Sequence, residues 1–120
     1  MKIVIAGAGE VGTHLARLLS KEDQDITLID TNGERLAVID ATCNILTLQG
    51  SPISFESLRS ARVNGCDLFI AVTPEETVNV LACSIAKSLG ARKTVARIDN
   101  YEFMHSNNAE FFRMRGVDVL

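Results

Sequence analysis

Two features of this sequence could do chemistry. One is Gly7-Ala8-Gly9-Glu10-Val11-Gly12, a Gly-x-Gly-x-x-Gly run that follows a short apolar segment and opens an amphipathic one. The other is Asp30, 18 residues beyond Gly12 at the end of a second apolar run. Between a strand and a helix each glycine has its own task. Gly7 permits the tight turn, Gly9 lets backbone approach a pyrophosphate, and Gly12 lets helix and sheet pack closely. The unpaired N–H groups and the positive dipole end of the helix would then face the phosphates. A carboxylate at Asp30 accepts the ribose hydroxyls and repels a 2′-phosphate, which favours NAD over NADP. The blander alternatives are a structural glycine turn and an Asp that merely begins a turn before Asn32.

Glu10 bears on the ligand too, since a carboxylate in the loop is a poor neighbour for a triphosphate. Two singly charged phosphates tolerate it better, which tilts the reading toward NAD(H) over ATP. Gly50 and Ser51 follow the third strand and could line an adenine. Thr73 follows the fourth, and Arg97 lies near the end of the fifth. A cation in a central strand needs a partner, either a phosphate or ribose, or a salt bridge with Asp99 or Glu76.

Positioning these residues requires alternating strands and helices. Lys2 to Ala6, Ile26 to Ile29, Ile45 to Leu48, Leu68 to Val72 and Thr94 to Ile98 read as five buried strands, and Val117 to Leu120 as a sixth. After the glycine loop, Val11, Leu15, Leu18 and Leu19 form a helical stripe. Asn32 can cap a second helix with Leu36 and Ile39 inside. A short third helix from about Ser54 to Ala61 is anchored by Phe55 and Leu58. The fourth has Thr73 at N-cap, Pro74 at N1 and Glu76 at N3, a capping box, with Val78, Leu81, Ala82, Ile85 and Leu89 inward and Gly90 at its end. A last helical segment carries Phe111, Phe112 and Met114. This pattern predicts an α/β Rossmann-like three-layer sandwich with a six-stranded parallel sheet in the order 3-2-1-4-5-6.

Composition sets outer limits. The 120 residues suit a single domain spanning 1–120, and the abrupt end at a strand suggests a piece of a longer regulatory protein. Hydrophobic residues are 47% and charged residues 22%, which suits a globular protein and argues against disorder. A net charge of −3 with scattered Lys and Arg argues against nucleic-acid binding. No apolar run approaches the roughly 20 residues that span a bilayer, and Ile3 to Ala6 is too short for a signal peptide, so the chain reads as cytoplasmic. Cys43, Cys66 and Cys83 have no paired spacing, and His14 and His105 no partner at metal-ligand spacing, so neither a disulfide framework nor a metal site is expected.

With the glycine loop, Ile29-Asp30-Thr31-Asn32-Gly33-Glu34-Arg35-Leu36, Ala71-Val72-Thr73 and Ala96-Arg97-Ile98 in place, the whole chain resembles the N-terminal RCK (KTN, TrkA-N) domain of potassium-transport regulators, most closely the first such domain of Trk-type ones. The resemblance implies a peripheral subunit at the inner face of the membrane that binds NAD+ or NADH and gates a membrane potassium transporter subunit. It implies cofactor contacts at Gly7 to Val11, Asp30 with Thr31, Thr73 with Pro74, and Arg97. It also implies homo-oligomers, dimers or rings, for which the last helix with Phe103, Phe111, Phe112 and Met114 is a candidate interface, although these residues could equally be core. Many relatives carry Asp where this chain has Ser51.

Two other functions compete with a sensor. A dehydrogenase would need a His, Lys or Tyr beside the nicotinamide. Tyr101, His105 and Lys93 do not lie at the first or fourth strand end, so no catalytic residue is expected and the chain is read as a non-enzyme. An ATP- or ADP-sensing domain of the same fold is separated from an NAD sensor only by the charge at Glu10.

Overall fold

A computed structural model describes residues 1–120. Five parallel strands, β1 (Lys2–Ala6), β2 (Asp25–Asp30), β3 (Leu46–Gln49), β4 (Leu68–Ala71) and β5 (Thr94–Ala96), form one sheet in the order β3-β2-β1-β4-β5. Helices α1 (Glu10–Ser20), α2 (Gly33–Thr42), α3 (Phe55–Ser60) and α4 (Glu76–Ser88) connect them. The chain ends in two short helices, α5 (Tyr101–Met104) and α6 (Ala109–Arg113), joined by a 3-10 turn at Ser106–Asn108.

Strand side chains alternate between faces, so each apolar run feeds two cores. Ile3 and Ile5 of β1, Ile26 and Leu28 of β2 and Ile70 of β4 pack with Leu36 and Ile39 of α2 and Ala16 of α1. Val4, Ala6, Ile29, Phe69 and Ala71 point the other way, toward Leu58 of α3, Ala82, Cys83 and Ala86 of α4, and Phe112 of α6. Each fully buried Ile, Leu or Phe contributes about 1.5–3 kcal/mol. The strand order reverses between β1 and β4, which leaves a crevice at their carboxyl ends.

Helix faces differ from the stripes expected of them. On α1 the residues toward the sheet are Gly12 and Ala16, with Leu15 and Leu19 at the core's edge, while Val11 and Leu18 are 44% and 48% exposed. Small residues bring the helix close, and the large ones one step around the wheel face outward. Leu81 of α4 is likewise exposed, and Asn79 takes an inward place beside Ala82 and Cys83. Phe55 is exposed under the Arg59 guanidinium, leaving Leu58 to anchor α3. Of the last aromatic residues only Phe112 is core, with Phe103 packed at its edge; Phe111 and Met114 are exposed.

The capping box at Thr73 does not form. α4 starts at Glu76 with Glu75 as its N-cap, because Thr73 is bonded to Asn79 and the Glu76 carboxylate accepts from the N–H groups of Asp99 and Asn100. The sixth strand is also absent as a strand: Val119 makes one parallel bridge with Val95. Its ladder is pre-empted by a side chain, since Asp118 Oδ2 takes the Thr94 N–H at 3.0 Å and Thr94 Oγ1 accepts from Asp118 N–H. The sheet therefore has the order 3-2-1-4-5.

The three cysteines are free thiols. Burial pushes Cys66 up to about 11 and Cys83 up to about 12, so both behave as small apolar groups. No helix is long and apolar enough to cross a membrane.

Asp118 also pairs with Lys87 at 2.8 Å. Burial raises its pKa, but the Lys87 ammonium and the Thr94 N–H outweigh this and hold it below 3.8. The stabilisation is therefore complete above the unfolded value and is lost as pH falls from there through the lower native one. Asp118→Asn should cost about 2 kcal/mol at pH 7, with a shallower loss of melting temperature than wild type between about pH 5 and pH 2. Parallel melting curves for the two proteins would show that the ion pair contributes nothing.

Candidate functional site

The first crossover builds the site. Gly7 has φ +115° and continues the ladder by donating its N–H to Ile29 O at 2.9 Å. A Cβ on Gly7 would come within 3.0 Å of Thr73 N, so the turn lies against the end of β4. A Cβ on Gly12 would stand 1.7 Å from the Gly7 carbonyl oxygen, so α1 crosses its own entry loop where no side chain fits. Gly9 is different: nothing lies within 4 Å of where its Cβ would be. The protein itself makes no use of that missing side chain.

Ala8 is fixed from both sides. Its N–H donates to Asp30 Oδ2 at 2.7 Å, and its carbonyl accepts from the Thr13 hydroxyl at 3.0 Å. The other Asp30 oxygen accepts from Asn32 N–H at 2.7 Å. Asn32 in turn caps α2 by accepting from Glu34 and Arg35 N–H, as its position after the second strand predicts. Asp30 thus holds the loop and the start of α2 with one oxygen each, and a carboxylate has acceptor capacity left on both. The N–H groups of Gly9, Glu10 and Val11 have no acceptor in the protein. They form the open end of α1, where a phosphate is favoured by both hydrogen bonding and the helix dipole.

A cleft of about 810 Å³ opens beside this loop and runs along the outer side of α1. Besides Gly9 and Glu10, it is walled by His14 and Arg17 of α1 and by Arg35 of α2. Neither arginine is in an ion pair. The volume suits a ligand of nucleotide size. A group carrying two phosphates fits these residues: free amides, space at Gly9, and two unpaired guanidinium groups against one carboxylate.

The other sequence candidates lie on either side. Gly50 donates its N–H to the Asp30 carbonyl at 2.9 Å, and a Cβ there would strike Ser57 Oγ. Ser51 Oγ accepts from Ile53 N–H, closing the turn into α3, and the exposed Thr31 has its carbonyl held by Gln49 Nε2. These three gather around the ends of β2 and β3, next to Asp30. Thr73 abuts the glycine loop, with Pro74 exposed beside it. Arg97 lies one residue past the end of β5, exposed, and pairs with neither Asp99 nor Glu76. Having left the strand, it no longer needs a partner.

Three contributors are not evident from the sequence. His14 and Arg17 lie outside the apolar stripe of α1, on a face that proves to be a wall of the cleft. Asn79, 1% exposed, bonds Thr73 and Arg97 together. Its signal was a polar residue at an inward position of an otherwise apolar helix face. No three His, Cys, Asp or Glu side chains stand close enough to hold a metal ion.

Comparison with known proteins places residues 3–120 under the model of the TrkA-N domain family. The Trk system potassium uptake protein TrkA of Haemophilus influenzae is 40% identical over 112 residues, covering 92% of this chain and 24% of that protein. The chain thus spans about a quarter of the length of such relatives. Among solved structures, the TrkA-N domain of the inner membrane protein ybaL from Escherichia coli superposes with a TM-score of 0.83 at 17% identity, over 98% of this chain and 84% of that one. The GsuK channel bound to NAD superposes at 0.80 and 19% identity, over 99% of this chain and 21% of that one. At these identities the two structures establish the shared fold.

Gly9 and Gly12 should separate in stability. Gly12→Ala forces helix and loop apart and is expected to cost about 3 kcal/mol, or roughly 10 °C in melting temperature. Gly9→Ala meets no atom and should stay within about 1 kcal/mol of wild type. Thermal melts of the two variants check this, and equal losses would contradict the geometry.

Proposed function

Since this chain belongs to the TrkA-N domain family, we propose that it is the NAD(H)-sensing regulatory domain of a potassium-transport system. The observation that carries this reading is the loop itself, in which Gly9 leaves open space beside free N–H groups while Asp30 anchors Ala8. NAD+ or NADH supplies a diphosphate and two riboses. The N–H groups of Gly9, Glu10 and Val11 donate to the phosphates, and Asp30 accepts from the adenosine ribose hydroxyls with its remaining lone pairs. Thr31, Gly50 and Ser51 flank that ribose and the adenine, while Thr73, Pro74 and Arg97 flank the opposite half.

Charge supports a dinucleotide over a triphosphate. Arg17 and Arg35 offset two phosphate charges, and a γ-phosphate would add charge beside Glu10. The corner past β4 offers Glu75, Glu76 and Asp99, and the potassium-uptake names of the relatives support a regulatory role over a catalytic one. The potassium-uptake names of the relatives support a membrane transporter subunit as partner and a place at the cytoplasmic face of the membrane. Regulation requires that occupancy change a contact between subunits, so assembly with further copies, as a dimer or ring, belongs to the same reading.

Calorimetric titration with NAD+, NADH, NADPH, ADP and ATP in one buffer tests it. NAD+ or NADH should bind about tenfold or more tightly than NADPH and ATP, a difference of about 1.4 kcal/mol. Gly9→Val and Asp30→Ala, checked for folding by circular dichroism, should each weaken NADH binding at least about tenfold. Tighter binding of ATP or ADP would overturn the dinucleotide reading while keeping the fold.

A further inference from the structure

Asn79 lies in the first turns of α4, and every hydrogen-bonding site of its amide is engaged. Its Oδ1 accepts from the Thr73 N–H at 2.9 Å and the Thr73 hydroxyl at 2.7 Å. Its Nδ2 donates to the Thr73 carbonyl at 2.9 Å and the Arg97 carbonyl at 2.9 Å. A side-chain amide has two donors and two acceptor sites, so nothing is left over. All the polar groups of Thr73 are thereby bound to one side chain. Arg97 is held at both backbone ends, because its N–H donates to Ala71 O at 2.9 Å, while its guanidinium stays exposed.

The location gives this network a purpose beyond stability. Asp30 and the glycine loop serve the β1–β2 side of the crevice, and Asn79 ties together the chain just past β4 and β5, on the other side of β1. A ligand lying across the reversal of strand order must rest one half on each side. Thr73 N stands 3.0 Å from the Cβ position of Gly7, so the two sides touch. The Glu76 carboxylate extends the same hold to the N–H groups of Asp99 and Asn100.

We propose that Asn79 is a positioning residue for the nicotinamide riboside half of the ligand: by binding Thr73 and the Arg97 carbonyl it fixes the surface on which that half lies. This rests on the NAD(H) reading above. Asn79 itself touches no ligand; it acts through Thr73 and Arg97. Removing its amide leaves two part-buried carbonyls and an N–H without their partner, which the chain relieves by moving the corner rather than the glycine loop.

Titration of the chain with NADH and ADP separates the two halves, because ADP carries the adenosine and diphosphate alone. In wild type, NADH should bind about tenfold or more tightly than ADP. Asn79→Ala should bring that ratio to within about threefold while ADP affinity stays within about twofold. Ala82→Gly, which loosens the same buried face of α4, should lower the melting temperature and leave the ratio alone. Equal loss of both affinities in Asn79→Ala, or loss of neither, would make Asn79 structural only. If Asn79→Ala fails to fold, amide NMR of the wild-type chain decides: NADH and not ADP should shift the Thr73 and Arg97 resonances, and equal shifts overturn the proposal. A wild type that binds neither ligand removes the nucleotide reading itself. One that binds both equally removes only the role given to Asn79.

Discussion

The contact between Gly12 and the carbonyl of Gly7 sets everything around it. With room for no side chain between them, α1 leaves β1 at one fixed distance and direction. That places the amides of Gly9, Glu10 and Val11 at the lip of the crevice and swings His14 and Arg17 onto the wall of the cleft. Asp30 can reach Ala8 only because the loop returns so tightly over the end of β2. Close packing is transmitted as position, because a backbone pressed against a backbone has no rotamer with which to yield.

Asp30 then joins three parts of the chain that are distant in sequence. Its two carboxylate oxygens hold the glycine loop and the residue that caps α2, and its carbonyl accepts from Gly50 at the end of β3. Charge-assisted bonds of 2.7 Å are among the stronger ones available to a half-buried group. The same side chain therefore has an architectural duty before any ligand arrives. A ribose that donates to it binds to something already immobile, which spares the entropy of ordering it.

The five sheet strands, the loop and Asp30 were legible in the sequence, because each is written in consecutive residues: uninterrupted apolar runs, glycines at fixed spacing, an acid at a strand end. What was not legible is decided by contacts between distant segments. Val11 and Leu18 look like the buried stripe of α1 by type, yet Gly12 and Ala16 face the sheet, since closeness rather than size is selected there. Thr73, Pro74 and Glu76 spell a capping box that two longer-range partners, Asn79 and the Asp99–Asn100 backbone, pull apart. The sixth strand fails because Asp118 occupies the donor on which a ladder would start. In the site, the glycine loop is written in consecutive residues, whereas Arg17 on the wall of the cleft and the amide behind Thr73 are placed by packing between distant segments.

The cysteines carry a practical consequence. Cys66 and Cys83 are sealed in one core with thiols that stay protonated, while Cys43 sits at the end of α2 and reaches solvent in part. Thiol-directed reagents therefore meet a single address on the folded chain without any cysteine being engineered away. That address ends the helix whose opposite end is capped beside Asp30. A fluorophore placed there would report on the β2–α2 unit from its far side, clear of the glycine loop.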